Sequence, residues 1–204
     1  MTHRRVVGVC DPVRMRKMLM LGFAAIAVVA VVLAVGRGAS DEPSSAAPAV
    51  PDAAQALRGS PPELAALHGD ANRFLDGGPE AFKKRLAELR GRPVVVNKWA
   101  SWCGPCRAEF PFFQKQSVAR GKEIAFIGVN ALDNDQDAAE FARQFPVSYP
   151  HYRDPDQEVA KVFKGNAGFP TTAYYDRQGE LVIAKQGGYA TEAKLAEDIE
   201  RYAK

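Results

Sequence analysis

Val94-Val95-Val96-Asn97-Lys98-Trp99-Ala100-Ser101-Trp102-Cys103-Gly104-Pro105-Cys106 is a β-branched run that leads straight into a C-x-x-C pair. The valines suit a strand buried on both faces, and the segment after them, up to about Val118, reads as a helix. Cys103 therefore falls where strand turns into helix. Unpaired N–H groups and the partial positive charge of a helix N-terminus stabilise a thiolate, so the thiol is expected below its free pKa of about 8.5. That makes Cys103 the candidate nucleophile. Cys106 lies one turn further along the same helix face, where it can resolve a mixed disulfide formed at Cys103. Gly104 permits a close approach, and Pro105 costs no hydrogen bond in a first helical turn. An inert staple is the competing reading. It fits poorly, because a bridge closing so short a loop contributes little chain entropy, whereas C-x-x-C beside a βαβ pattern is a redox arrangement.

On the N-terminal side of this stretch, Gly78-Pro79 opens a helix with Phe82, Leu86 and Leu89 on one face, closed by Gly91 and Pro93. On the C-terminal side, Ile124–Val129 reads as a second buried strand. Asp133–Asp135 can cap a helix bearing Phe141 and Phe145 and ended by Pro146. Asp154-Pro155 suits the cap and first position of a helix carrying Val159, Val162 and Phe163, which Gly165 stops. Thr171–Tyr175 and Leu181–Lys185 read as strands joined by a tight turn over 176–179, and Thr191 caps a last helix with Leu195, Ile199 and Tyr202. The expectation is an α/β fold with a mixed central sheet and helices on both faces.

Upstream of this domain the chain changes character. Residues 1–17 carry Arg4, Arg5, Arg14, Arg16 and Lys17 against Asp11 alone. Residues 18–35, MLMLGFAAIAVVAVVLAV, hold no charge and no proline. At helical rise they would span about 27 Å, close to a bilayer's hydrocarbon core. The basic flank places residues 1–17 in the cytoplasm and the remainder outside. The run exceeds the apolar region of an ordinary cleaved signal, so a retained signal-anchor is expected. Residues 36–62, rich in Ala, Pro, Ser and Gly, read as a flexible linker reaching roughly 30 Å. Residues 63–204 remain as one domain.

The net charge of +3 is carried by the N-terminus. The domain is nearly neutral and lacks the basic footprint of a nucleic-acid binder. Three cysteines are too few for a disulfide-stapled fold or a four-ligand zinc site, so no metal and no cofactor are expected.

Trp102-Cys103-Gly104-Pro105-Cys106-Arg107-Ala108-Glu109-Phe110-Pro111 resembles the membrane-anchored thioredoxin-like proteins of the TlpA/ResA type, and the anchor-plus-linker layout matches as well. The resemblance covers about residues 63–204 and implies a thioredoxin-like fold with a redox-active Cys103–Cys106 disulfide. It implies a cis bond before Pro170 in Phe169-Pro170-Thr171, a segment facing the dithiol whose backbone pairs with an extended substrate. Trp102, Gly104, Pro105, Phe169, Pro170 and Thr171 are then the substrate-binding residues. Pro111 matches the family's helix-interrupting proline. Glu109 matches an acid this group carries near its cysteines, as a candidate for tuning thiol pKa, with a solvated residue paired to Lys115 or Arg107 as the alternative. Asn97 stands where thioredoxin has a buried aspartate. Lys98, odd on so apolar a strand, is expected to snorkel to the surface, and Trp99 to pack in the core.

These readings point to an extracytoplasmic, membrane-tethered thiol–disulfide oxidoreductase that reduces disulfides in exported proteins. The Gly-Pro dipeptide resembles the reducing thioredoxin site, with a potential near −270 mV rather than near −120 mV. Such a reductant needs a membrane electron donor to recharge it. Apocytochrome thiols, a copper-site assembly factor and exported proteins in general are compatible substrates. Two other classes compete. A metallochaperone would hold Cu(I) on the two thiolates, with His151 as the one candidate third ligand if it is more than a surface histidine. A thiol peroxidase would use Cys103 against peroxide.

Overall fold

A computed structural model describes residues 52–204. The basic segment 1–17, the apolar run 18–35 and the first part of the linker lie outside the described residues. Among the described residues no helix is long and apolar enough to cross a membrane.

Six strands form one mixed sheet: β1 (Phe74–Leu75), β2 (Val94–Trp99), β3 (Ala125–Ala131), β4 (His151–Asp154), β5 (Thr171–Tyr175) and β6 (Leu181–Gln186), in the spatial order β1-β4-β3-β2-β5-β6. The β1–β4, β4–β3 and β3–β2 pairs are parallel, and β2–β5 and β5–β6 are antiparallel. Among the described residues seven helices accompany the sheet: α1 (Ala53–Ala56), α2 (Pro62–Gly69), α3 (Gly78–Glu88), α4 (Gly104–Arg120), α5 (Asp135–Gln144), α6 (Glu158–Val162) and α7 (Glu192–Tyr202). This is the α/β thioredoxin-like architecture expected from the sequence.

Every residue of β2 and β3 is buried, as near-continuous apolar runs require when helices cover both faces. Alternation along β2 splits the core in two. Val95 and Trp99 meet Phe110 and Phe113 of α4, Phe141 of α5 and Leu195 and Ile199 of α7. Val94 and Val96 meet Leu64 of α2, Phe82 of α3 and Val159 of α6. Local capping chemistry holds where the sequence announces it. Thr191 accepts from Lys194 N–H at the start of α7, and Asp176 Oδ1 accepts from Gln178 and Glu180 N–H in the turn before β6.

Three boundaries differ from the sequence reading. Within the expected linker 36–62, residues 53–56 are helical and Leu57 is buried, so the ordered domain starts well before residue 63. β1 and β4 were not expected: one is two residues long, and His-Tyr-Arg-Asp has no apolar run, so neither announces itself before it pairs. Asp154 ends β4 instead of capping a helix at once. Its carboxylate still receives Val159 and Ala160 N–H, at 2.9 and 2.8 Å, and so caps α6 from four residues upstream.

Gly128 of β3 faces His151 of β4 across this sheet. A Cβ built there would fall 1.9 Å from His151 Nδ1, the atom that accepts the Trp99 indole N–H. Gly128→Ala is expected to destabilise the domain by about 1–3 kcal/mol or more, read as a lowered urea midpoint with an unchanged slope.

Candidate active site

Cys103 closes the C-terminal end of the β2 run and is the N-cap of α4. Its Sγ accepts the Cys106 N–H at 3.2 Å, and the two cysteines are joined as a disulfide. Cys106 is fully buried, and of the two cysteines only Cys103 keeps any exposed surface, 3%. The 17-residue α4 directs the positive end of its dipole at this sulfur. Pro111 lies inside α4 and removes one main-chain hydrogen bond there.

The loop between β2 and α4 is clamped from the loop after β3. Ser101 donates its N–H and its hydroxyl to the Asp133 carboxylate, each at 2.6 Å, and Asn130 Nδ2 donates to the same group. By sequence Asp133 is one of several possible caps for the helix that follows. Asn134 does the capping, which leaves Asp133 free to hold the active-site loop. Beside the dithiol, Trp102 is 59% exposed. Its indole N–H donates to Leu132 O, and its ring meets Phe169 edge-on at 4.8 Å.

The Phe169-Pro170 bond is cis. A methyl placed on Gly188 would come within 3.6 Å of Pro105 Cβ, Pro170 Cγ and Glu109 Oε2. These three groups therefore converge on the backbone between β6 and α7. That wall was missed from the sequence, where the only hint was the Gly187-Gly188 pair. Thr171, expected among the substrate contacts, is fully buried, and its hydroxyl donates to Gly168 O at 2.8 Å. Its side chain closes the loop that leads from Gly168 into β5.

Glu109 is neither solvated nor paired with Lys115 or Arg107. Lys115 pairs with Glu192, and Arg107 bonds Gln144. Glu109 is 0% exposed, three residues along α4 from Cys106. Oε1 accepts Asn97 Nδ2 at 2.9 Å and Oε2 accepts the Tyr189 backbone N–H at 3.1 Å. Burial pushes the Glu109 carboxyl up to about 7, against the opposing pull of the Tyr189 N–H and then the Asn97 amide. Asn97 thus has a specific partner: where thioredoxin places a carboxylate on the strand, here the carboxyl comes from α4 and the strand supplies the amide that holds it.

Two expectations about basic groups fail. Lys98 does not snorkel. It is fully buried, with Nζ 3.7 Å from the Phe169 ring centre and bonded to Gln157 Oε1 at 3.1 Å. Burial brings its ammonium down to about 8, with the Asp154 charge acting the other way. β2 is flanked by sheet on both edges and by helices on both faces, so the side chain finds no route to water. His151 is not a surface histidine either. It is fully buried among Phe74, Trp99, Phe110 and Tyr149, its Nδ1 accepts Trp99 Nε1–H at 3.1 Å, and burial brings its pKa down to about 3. The copper reading loses the third ligand it had weighed.

Comparison with known proteins agrees with this geometry. A model of the Redoxin family matches residues 67–199. The thiol–disulfide oxidoreductase ResA of Geobacillus kaustophilus is 32% identical over 125 residues, covering 60% of this chain and 68% of the relative. ResA of Bacillus thuringiensis is 27% identical over 136 residues, covering 66% and 75%. Among solved structures, a DsbE-type thiol:disulfide interchange protein from Chlorobium tepidum superposes with a TM-score of 0.51 at 30% identity, covering 57% of this chain and 83% of that one.

The raised Glu109 pKa has a consequence for folding. A carboxyl that holds its proton more tightly folded than unfolded favours the folded state below the unfolded value of 4.5 and loses that advantage as pH rises to about 7. Between pH 4 and 8 the loss amounts to about 3 kcal/mol. Urea unfolding of the oxidised protein should show this fall relative to Glu109→Gln, whose pH slope over the same window should be flatter by that amount. Parallel slopes would mean that Glu109 titrates as an ordinary carboxylate.

Proposed function

Because this chain belongs to the Redoxin family and is a ResA-like thiol–disulfide oxidoreductase, we propose that it reduces disulfides in exported proteins from a tether on the outer side of the cell membrane. The observation that carries this reading is the asymmetric dithiol: Cys103 at the helix N-terminus with residual exposure, Cys106 sealed beneath it, and a buried carboxyl of near-neutral pKa on the same helix face.

In the first step, the Cys103 thiolate attacks one sulfur of the substrate disulfide. A Cys103–substrate bond forms, and the second substrate sulfur leaves as a thiolate. In the second step, Cys106 gives up its proton and attacks Cys103 Sγ. The Cys103–Cys106 bond forms and the first substrate sulfur is released. Two electrons pass from the dithiol to the substrate. Glu109 is the acceptor for the Cys106 proton: its pKa of about 7 lets it hold a proton in one half of the cycle and release it in the other. Asn97 and the Tyr189 N–H keep its two oxygens in place.

Substrate lies along the cis-Pro170 segment, with Gly104 and Pro105 on one side and the Phe169–Trp102 pair on the other. The exposed Trp102 ring offers apolar contact to an extended chain, and the Phe169 backbone offers hydrogen bonds. The reductive direction is supported by the Gly-Pro dipeptide. Residues 18–35 support the membrane tether, and a membrane electron donor regenerates the dithiol. The His151–Trp99 bond weighs against the copper alternative.

Two measurements test this reading. Cys106→Ser in the membrane-bound chain should accumulate substrates disulfide-linked to Cys103, and Cys103→Ser should accumulate none. Equal yields from the two variants would reverse or abolish the assigned roles. The reduction potential should lie near −270 mV, and a value above about −180 mV would overturn the reductive direction.

A further inference from the structure

The N–H that grips Glu109 belongs to Tyr189, and the side chain of that residue is anchored at its other end, through the phenol. Tyr189 is 9% exposed, and its phenol donates to Asp198 Oδ2 at 2.8 Å. Its hydroxyl also lies 2.7 Å from the Tyr174 hydroxyl. A phenol has one proton to give. With that of Tyr189 committed to Asp198, Tyr174 must donate to Tyr189. Asp198 is buried on α7 and also pairs with Lys185 of β6. One carboxylate thus ties α7, β6 and, through Tyr189, β5 to the loop that touches Glu109.

We propose that Asp198 is a positioning residue for the thiol chemistry, holding the Tyr189 phenol so that the Tyr189 backbone N–H stays on Glu109 and the Gly188 wall stays against Pro105 and Pro170. The geometry favours a strut over ordinary packing. Gly187, with φ +94°, and Gly188 give the loop little stiffness of its own. The Tyr189 side chain is the stiffer element, and both of its hydrogen bonds are made at the phenol oxygen, the end opposite the backbone N–H. A shift of the phenol would be transmitted to the N–H at the other end of the same residue. The inference rests on the proton-acceptor reading of Glu109.

Glu109 is held by Asn97 from β2 and the Tyr189 N–H from the β6–α7 loop, its charge is felt by the Tyr149 and Tyr174 phenols, and Cys106 lies three residues before it on its own helix. Asp198 reaches it only through Tyr189. The test is a titration of the Glu109 side-chain carboxyl carbon by NMR in the oxidised full chain, with the pH–rate profile of disulfide reduction measured in parallel. Asp198→Ala and Tyr189→Phe free the loop, weaken the N–H contact that favours the carboxylate, and should raise the midpoint by about half a unit or more. The limb of the rate profile that depends on Glu109 should move with it. Asp198→Asn keeps an oxygen to accept the phenol and should stay close to the wild type. If Asp198→Ala and Tyr189→Phe lower thermal stability but leave midpoint and profile unmoved, Asp198 is structural only. If Asp198→Asn shifts as far as Asp198→Ala, charge and not position is responsible. Either result overturns the proposal. Failure of the underlying reading is separate: Glu109→Gln would then leave the rate profile of the otherwise native chain unchanged.

Discussion

Strand β2 is paired along both edges, parallel to β3 and antiparallel to β5, and covered on both faces, so none of its six residues reaches solvent. Its direction and register are over-determined, because a slip of one residue would exchange Val95 and Trp99 with Val94, Val96 and Lys98 between two separately packed cores. The chain leaves this strand through a loop clamped by Asp133 and enters α4 at Cys103. The sulfur chemistry is therefore mounted on a strand fixed along both edges and covered on both faces. The cis-Pro170 segment feeds directly into β5, the antiparallel neighbour of β2, so the dithiol and the segment opposite it share one sheet as their frame.

That burial sets the character of the site. A polar group at the end of a fully covered strand cannot hydrate, so each must find a partner inside. Asn97 on one face meets Glu109, and Lys98 on the other meets Phe169 and Gln157. The same loss of water that makes these groups costly shifts their pKa values toward neutrality, up for the acid and down for the amine. A carboxyl with a pKa of about 7 is thereby produced from an ordinary glutamate, without a neighbouring charge to tune it. Two hydrogen bonds keep that carboxyl oriented, and one comes from a loop whose own anchor is Asp198.

Much of the fold was legible because it is written in local pattern. The valine run, the cap at Thr191, the turn at Asp176 and the C-x-x-C pair each depend on residues a few positions apart, and each formed where expected. The failures share one cause. His151 and Lys98 were judged by residue type and neighbours in sequence, but their surroundings are set by segments up to about 80 positions distant. His151 meets Trp99 and Lys98 meets Phe169 only after the sheet assembles. β1 and β4 escaped notice because their stability comes from pairing with each other and with β3, not from their own composition. Asp154 shows an intermediate case. It was recognised as a cap, but it acts across a loop whose path the sequence does not state.

By itself the sequence determined the α/β class, the two reactive sulfurs and their unequal positions at a helix start, since these follow from short-range stereochemistry and from the intrinsic reactivity of cysteine. It also supplied Glu109, but as a helix residue with an equal claim to solvent. Only the tertiary structure decided that Glu109 is sealed in, that Asn97 and Tyr189 hold its two oxygens, and that Gly188 brings Pro105 and Pro170 together around it. The reason is that pKa and orientation depend on dielectric surroundings and hydrogen-bond partners, and here both come from strands and loops distant in the chain.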